Sequence, residues 1–458
     1  MSKIFNVRLP NAAAVNYSQE QFDQLVRSLE QVIFQLNNTY TPVVSENTAG
    51  ALSWFESRGE SEVSSSFSPT SFDSFGRLRV GSPYTLFDSQ NRYQKDPQFS
   101  EELTTGGTST YVPNESSVDL GVTTTSGSKV VRQSFRVFPY QPGKSLLVLA
   151  TFVMNAGKDN LRQRVGYFNT DNGVFFQVSG TTKSFVLRTN TSGTPSDTRT
   201  VNQADWNGDK LDGTGPSGIT LDAAKAQILW MDFEWLGVGS VRCGFVINGT
   251  FIVCHTFNNA NDIDKVYMTT AILPVRYEIE NTGTTASSST LTQICSSVIS
   301  EGGYEQTAAL TWARQTSPTT GIGTSFVPLV SIQLKAANLG AVVLPNTISF
   351  MPTSASDYFE VALIKNPTLT GASFGSLSTN VNYDLAATAL TGGTIVKSDF
   401  TSSGVLSSTA IADPSSYNFD LQLGVSVSGT SDIYTVAART ISGTGDGIGA
   451  LSFWDLTD

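Results

Sequence analysis

Between residues 130 and 280 the chain is a succession of short apolar runs separated by Gly, Asn and Pro, and one pair of them sets the style of the fold. The run from Val241 to Ile247 is followed by Asn248-Gly249 and then by Thr250 to Phe257. Asn-Gly accepts positive φ at both central positions of a type I′ turn, so 241–257 is expected to close as a tight antiparallel hairpin. The same reading gives strands at Val130–Tyr140, Leu146–Asn155, Val174–Gly180, Ser184–Asn190, Gln227–Trp235, Val266–Leu273 and Val275–Glu280. A second series covers Phe326–Lys335, Ala341–Met351, Tyr358–Lys365, Gly393–Phe400, Phe419–Val427 and Asp432–Ile441, while Thr282–Thr290 reads as a Thr/Ser loop. Many short strands with turn signals and no fixed 20–50-residue repeat predict a mainly β protein of tandem antiparallel β-sandwich or jelly-roll-like domains. The expected boundaries are an N-terminal arm at 1–75, a first sandwich at 76–305 and a second at 306–458.

The arm holds the one segment with helical spacing. Phe22, Leu25, Leu29, Val32 and Leu36 recur every three or four residues, the seam of about two heptads. Ser18 and Gln21 form a capping box at its start, and Asn37-Asn38 can end it. So short a helix is marginal alone, so its stripe must be buried against other surface. Together with Trp54 and Phe55, these residues are the candidate oligomer and attachment interface.

Charged residues make up 15% of the 458, against roughly 25% in ordinary soluble domains. Ser, Thr, Gly and Asn fill the difference, and 27 Phe, 14 Tyr and 6 Trp supply core. That balance fits large all-β extracellular and viral structural proteins. The net charge of −11 is spread without a basic cluster, which argues against a phosphate-backbone partner and hence against nucleic acid. The opening lacks a signal-peptide pattern and no apolar run approaches bilayer length, so a soluble chain made without export and without membrane insertion is expected.

Candidates for chemistry are few. Three cysteines exclude a disulfide scaffold. Pairing Ile247 with Thr250 sets Cys243 opposite Cys254 at a hydrogen-bonded position, where the Cα atoms are far apart, so two reduced core thiols are expected. His255, the single histidine, then faces Arg242; without a second histidine, triads and most zinc sites lack parts. Asp205 to Gly213 alternates oxygen ligands as a calcium loop does, but it has Lys210 at the glycine position and Pro216 at the bidentate position, so Asx turns are the expected structure. Asp232/Glu234 and Glu278/Glu280 each lie two apart on a strand, as glycosidase carboxylates or an ordinary solvated face would, and Tyr111 and Trp206 are candidates for stacking on sugars. No metal or cofactor is expected.

Several stretches carry a resemblance: Phe75 to Val80, Ser82 to Asp88, Tyr140 to Lys144, Arg164 to Phe168, Trp206 to Gly213, Trp235 to Gly239, Leu273 to Ile279 and Ser300 to Gly303. Together they resemble virion structural proteins of tailed bacteriophages, marine and cyanobacterial phages among them, over roughly 72–305. Leu9-Pro10-Asn11 with the helix is similar to attachment segments of phage fibre-like proteins. The resemblance implies a virion component; together with the seam and an arm too small to fold alone, it leads to the expectation of a non-enzymatic homotrimer assembled in the host cytoplasm and held by its arm to tail, baseplate or collar proteins, with a host surface glycan as a further partner. A capsid decoration or cement protein and a polysaccharide-binding or depolymerising tailspike are the alternatives.

Overall fold

The computed structural model describes residues 23, 26, 27, 29, 73, 82–305, 308–354, 358–402, 407–410 and 418–457. The chain divides into two compact units, 1–72 and 73–458. In the first, the described residues Asp23, Val26, Arg27 and Leu29 are helical and exposed. No described helix is long and apolar enough to cross a membrane.

The second unit is built almost wholly from antiparallel strands, in four large sheets among the described residues. Strands between 84 and 300 make one pair. An eight-stranded sheet runs in the order Thr250–Phe257, Val241–Ile247, Gln227–Phe233, Leu146–Val153, Ser289–Ser300, Ser117–Val122, Thr108–Val112, with Tyr84–Gln90 added on Ser289–Ser300. The facing seven-stranded sheet centres on Leu161–Phe168 and Val275–Asn281. Alternate residues point inward along these strands, and Phe152, Phe176, Tyr277, Leu229 and Phe245 meet in one core. Strands between 310 and 455 form five- and six-stranded sheets around Val330, Phe350, Val436 and Phe453.

The Asn248-Gly249 turn forms with both residues at positive φ, and Ile247 pairs with Thr250. Four residues further on, the expected register fails. A β-bulge at Cys254 sets Cys243 opposite His255 and Arg242 opposite Thr256. The cause lies outside the hairpin. Trp230 donates its Nε1–H to the Ile252 carbonyl beside Gly244, where a Cβ would lie 1.8 Å from that oxygen. The Val253 and Cys254 carbonyls accept from Asp209 and Gly208. Cys243 and Cys254 are buried free thiols, as expected from the sequence, though by a different register.

Two expected strands are absent. Residues 266–273 form an irregular arch whose Tyr267, Met268, Ala271 and Leu273 are buried. The Tyr167 hydroxyl secures the arch, donating to Ala271 O and accepting from Leu273 N. Residues 419–427 form a strap instead of a strand, opening with a 3-10 turn at Phe419–Leu421. On one side, Leu423 N donates to Val343 O and Gly424 N to Asp432 Oδ2. On the other, Val425 N donates to Phe135 O, Val427 N to Ser100 Oγ, and Arg136 pairs with Asp420 at 3.1 Å. Gly424 permits this approach, since a Cβ there would lie 3.0 Å from that of Phe135. The Phe419 ring meets Tyr84 at 5.9 Å and Tyr304 at 5.1 Å, within the core of the first sandwich.

Truncating that ring leaves a cavity at the junction, so Phe419→Ala is expected to destabilise the chain by about 3 kcal/mol. Urea denaturation followed by tryptophan fluorescence measures this; a loss under about 1 kcal/mol would show that the strap does not join the two cores.

Candidate functional site

Three of the four carboxylates singled out in the sequence are closed by arginines, and the fourth, Glu234, is buried. Asp232, fully buried, faces Arg242 across the strand pair and takes two hydrogen bonds from it, Nε to Oδ1 at 2.8 Å and Nη2 to Oδ2. Glu278 faces Arg164 across the adjoining strand at 3.6 Å and accepts from Arg276 at 2.7 Å, while Glu280 pairs with Arg162 at 2.6 Å. Period-2 alternation sets Arg276, Glu278 and Glu280 on one face of their strand, opposite Arg162 and Arg164 on the next. Burial alone would raise the Glu278 pKa, but the Arg276 and Arg164 charges outweigh it and hold the carboxyl at about 2. Burial in turn brings the Arg164 pKa down to about 10 against the pull of Glu278. The Arg276 guanidinium also lies over Phe168, 5.3 Å from the ring centroid, and Arg188 over Phe175 at 5.2 Å.

The other sequence candidates serve the fold. His255 is buried edge-on to Phe257 at 4.5 Å, and its Nδ1 accepts from Asn207 N at 3.4 Å. Burial, aided by Arg199, lowers its pKa to about 4, so the ring is neutral at pH 7. In the 205–213 loop the Asp209 carboxylate accepts from Leu211 N and Ser217 N, and Asp212 from Thr214 N, the Asx turns expected there. Among the described residues no three acidic, His or Cys side chains converge as metal ligands do. Trp206 is buried against Phe185 at 4.7 Å, which corrects its reading as a stacking platform. Tyr111 is half-buried, with its hydroxyl donated to Arg92 O. Among the described residues the most exposed rings are Tyr93, Tyr358 and Phe400, followed by Trp312 and Tyr84.

A cleft of about 600 Å³, which no local sequence pattern announces, opens beside the strap. Its first wall comes from the 169–172 loop, Asn190 and the 269–274 arch, its second from 338–341, Asn380, the strap and its turn to Gly429, and Thr457. The first wall is tied together through Asn172, whose Nδ2 donates to Thr269 Oγ1 at 2.7 Å while its Oδ1 accepts from Thr269 N and Asn190 N. On the second wall Asn338 donates to Asn380 Oδ1 at 2.9 Å, and Asn380 donates to Asp455 and Thr457. The residues come from segments far apart in sequence, so local patterning could not have grouped them.

Of the candidate interface residues, Leu29 is helical and 49% exposed. Phe22, Leu25, Val32, Leu36, Trp54 and Phe55 lie outside the described residues.

No protein-family model matches the chain, and no curated protein does. Solved structures similar to it include the cellulose-induced protein Cip1, at 12% identity over 48% of this chain and 100% of that one, with a TM-score of 0.30. Arcelin-5, a lectin-like defence protein from Phaseolus vulgaris, matches at 11% over 48% and 99%, with a TM-score of 0.30. A β-glucanase from Bacillus licheniformis matches at 11% over 48% and 98%, with a TM-score of 0.31. Likeness of this degree says nothing about what the chain binds.

Proposed function

We propose that the protein is a non-enzymatic structural component of a tailed-phage virion, a fibre-like homotrimer attached through residues 1–75. The observation that carries the non-enzymatic part is the closure of Asp232, Glu278 and Glu280 by arginines. Glycoside hydrolysis needs one carboxyl that keeps its proton near neutral pH, which requires a raised pKa. Glu278 lies on the opposite side, at about 2, because cations face it from its own strand and the next. These pairs brace the strands that carry them. The resemblance of 72–305 to phage particle proteins supports the virion location, and the two-heptad seam supports self-association through the arm.

The bracing role has a pH signature. The Glu278 carboxyl falls from an ordinary 4.5 to about 2 in the folded chain. Its contribution is therefore complete above about pH 4.5 and is lost as pH falls towards 2. Glu278→Gln is expected to cost about 3–5 kcal/mol at pH 7, because it leaves Arg164 and Arg276 buried without their counter-charge. It should also flatten the decline in stability between pH 4.5 and 2, measured by urea titrations at each pH. An unchanged acid limb overturns the bracing role.

The assembly reading is tested on the purified chain and on particles. Light scattering should give a trimer, and deletion of residues 1–40 should leave a folded body that no longer enters particles. A monomer that decorates heads favours the cement alternative. Release of reducing sugar from host polysaccharide overturns the non-enzymatic reading.

A further inference from the structure

We propose that the cleft beside the strap is a binding site for a neutral oligosaccharide. The inference stands apart from the virion reading, because it rests on the lining alone. The lining includes amide and hydroxyl side chains, notably Asn169, Asn190 and Thr270 on one wall and Asn338, Asn380 and Ser426 on the other. Apolar surface comes from Phe135, Ile272, Leu339 and Val425. A sugar ring has this same division, with hydroxyls at its edge and C–H groups on its faces. At about 600 Å³ the space falls within the range of about 300–1,000 Å³ typical of small-ligand sites.

Two features narrow the class. The charged side chains lining the cleft are Asp171 and Arg276, and the Arg276 guanidinium is already closed on Glu278, with Nε at 3.1 Å and Nη2 at 2.7 Å. A polyanion would therefore meet the Asp171 carboxylate and no cluster of cations. Asn190 also lines the cleft, and its side-chain NH2 is a donor of the kind a sugar hydroxyl accepts from. The surrounding amides are already fixed by the Asn172–Thr269 and Asn338–Asn380–Thr457 bonds, so little side-chain freedom is lost when a ligand enters.

The full chain is screened on an array of neutral and anionic oligosaccharides, and the strongest neutral glycan is then titrated calorimetrically. Gly340 lines the cleft with ordinary backbone geometry, and a Cβ there meets no atom within 4 Å, so the root of the Gly340→Trp side chain is accommodated and its bulk is added at the cleft. It should abolish binding with an unchanged melting temperature. Asn190→Ala should weaken binding by about 5–10-fold, the value of one hydrogen bond. Absence of neutral-glycan binding, a preference for anionic glycans, or affinity unchanged in both variants each overturns the proposal. If one variant fails to fold, the other still decides.

Discussion

The nine-residue strap from Phe419 to Val427 ties the two sandwiches of the second unit together, beside Val342 and Leu344, which also pack into the first core. Each sandwich has its own core, but the strap belongs to both. Its Leu423 and Gly424 amides are held by Val343 and Asp432, and its Val425 amide by the Phe135 carbonyl. Asp432 is fixed in turn by Lys365 at 2.9 Å and Asn366 at 2.7 Å. Backbone bonds set direction and spacing, and the Phe419 ring adds apolar burial between Tyr84 and Tyr304. The cleft is the remaining space beside this junction, so its shape follows from the strap's path.

How much of this could be read from the sequence depended on whether the cause was local. The Asn248-Gly249 hairpin was legible because its turn chemistry lies in two adjacent residues. Its bulge was not, because the Trp230 indole and the Gly208 and Asp209 amides that hold it come from other segments. The strand Ser289–Ser300 was overlooked because its inward positions include Ser289, Gln293, Ser296 and Ser300, and its first two residues read as the end of a hydroxyl-rich loop. Residues 266–273 misled in the opposite way. Their apolar content suggested a strand, but it plugs an end of the core in irregular backbone whose polar groups are met by Tyr167 and Asn172.

The candidate site divides along the same line. Period-2 spacing correctly set Glu278 and Glu280 on one face, but their function depends on the partners across the sheet. Those partners are arginines, which turns a possible reacting pair into a brace. The cleft residues had no collective signature at all, since a lone Asn or Thr in a turn is ordinary turn chemistry.

The burial of these ion pairs bears on the solvent the protein tolerates. Asp232, Glu278, Arg164 and Arg276 are at least nine-tenths removed from water, so mobile counter-ions do not enter between them. Added salt screens exposed pairs, but it leaves these interactions nearly at full strength. A chain with few surface charges and its strongest ion pairs inside is thereby suited to keep its shape from dilute to strongly saline media.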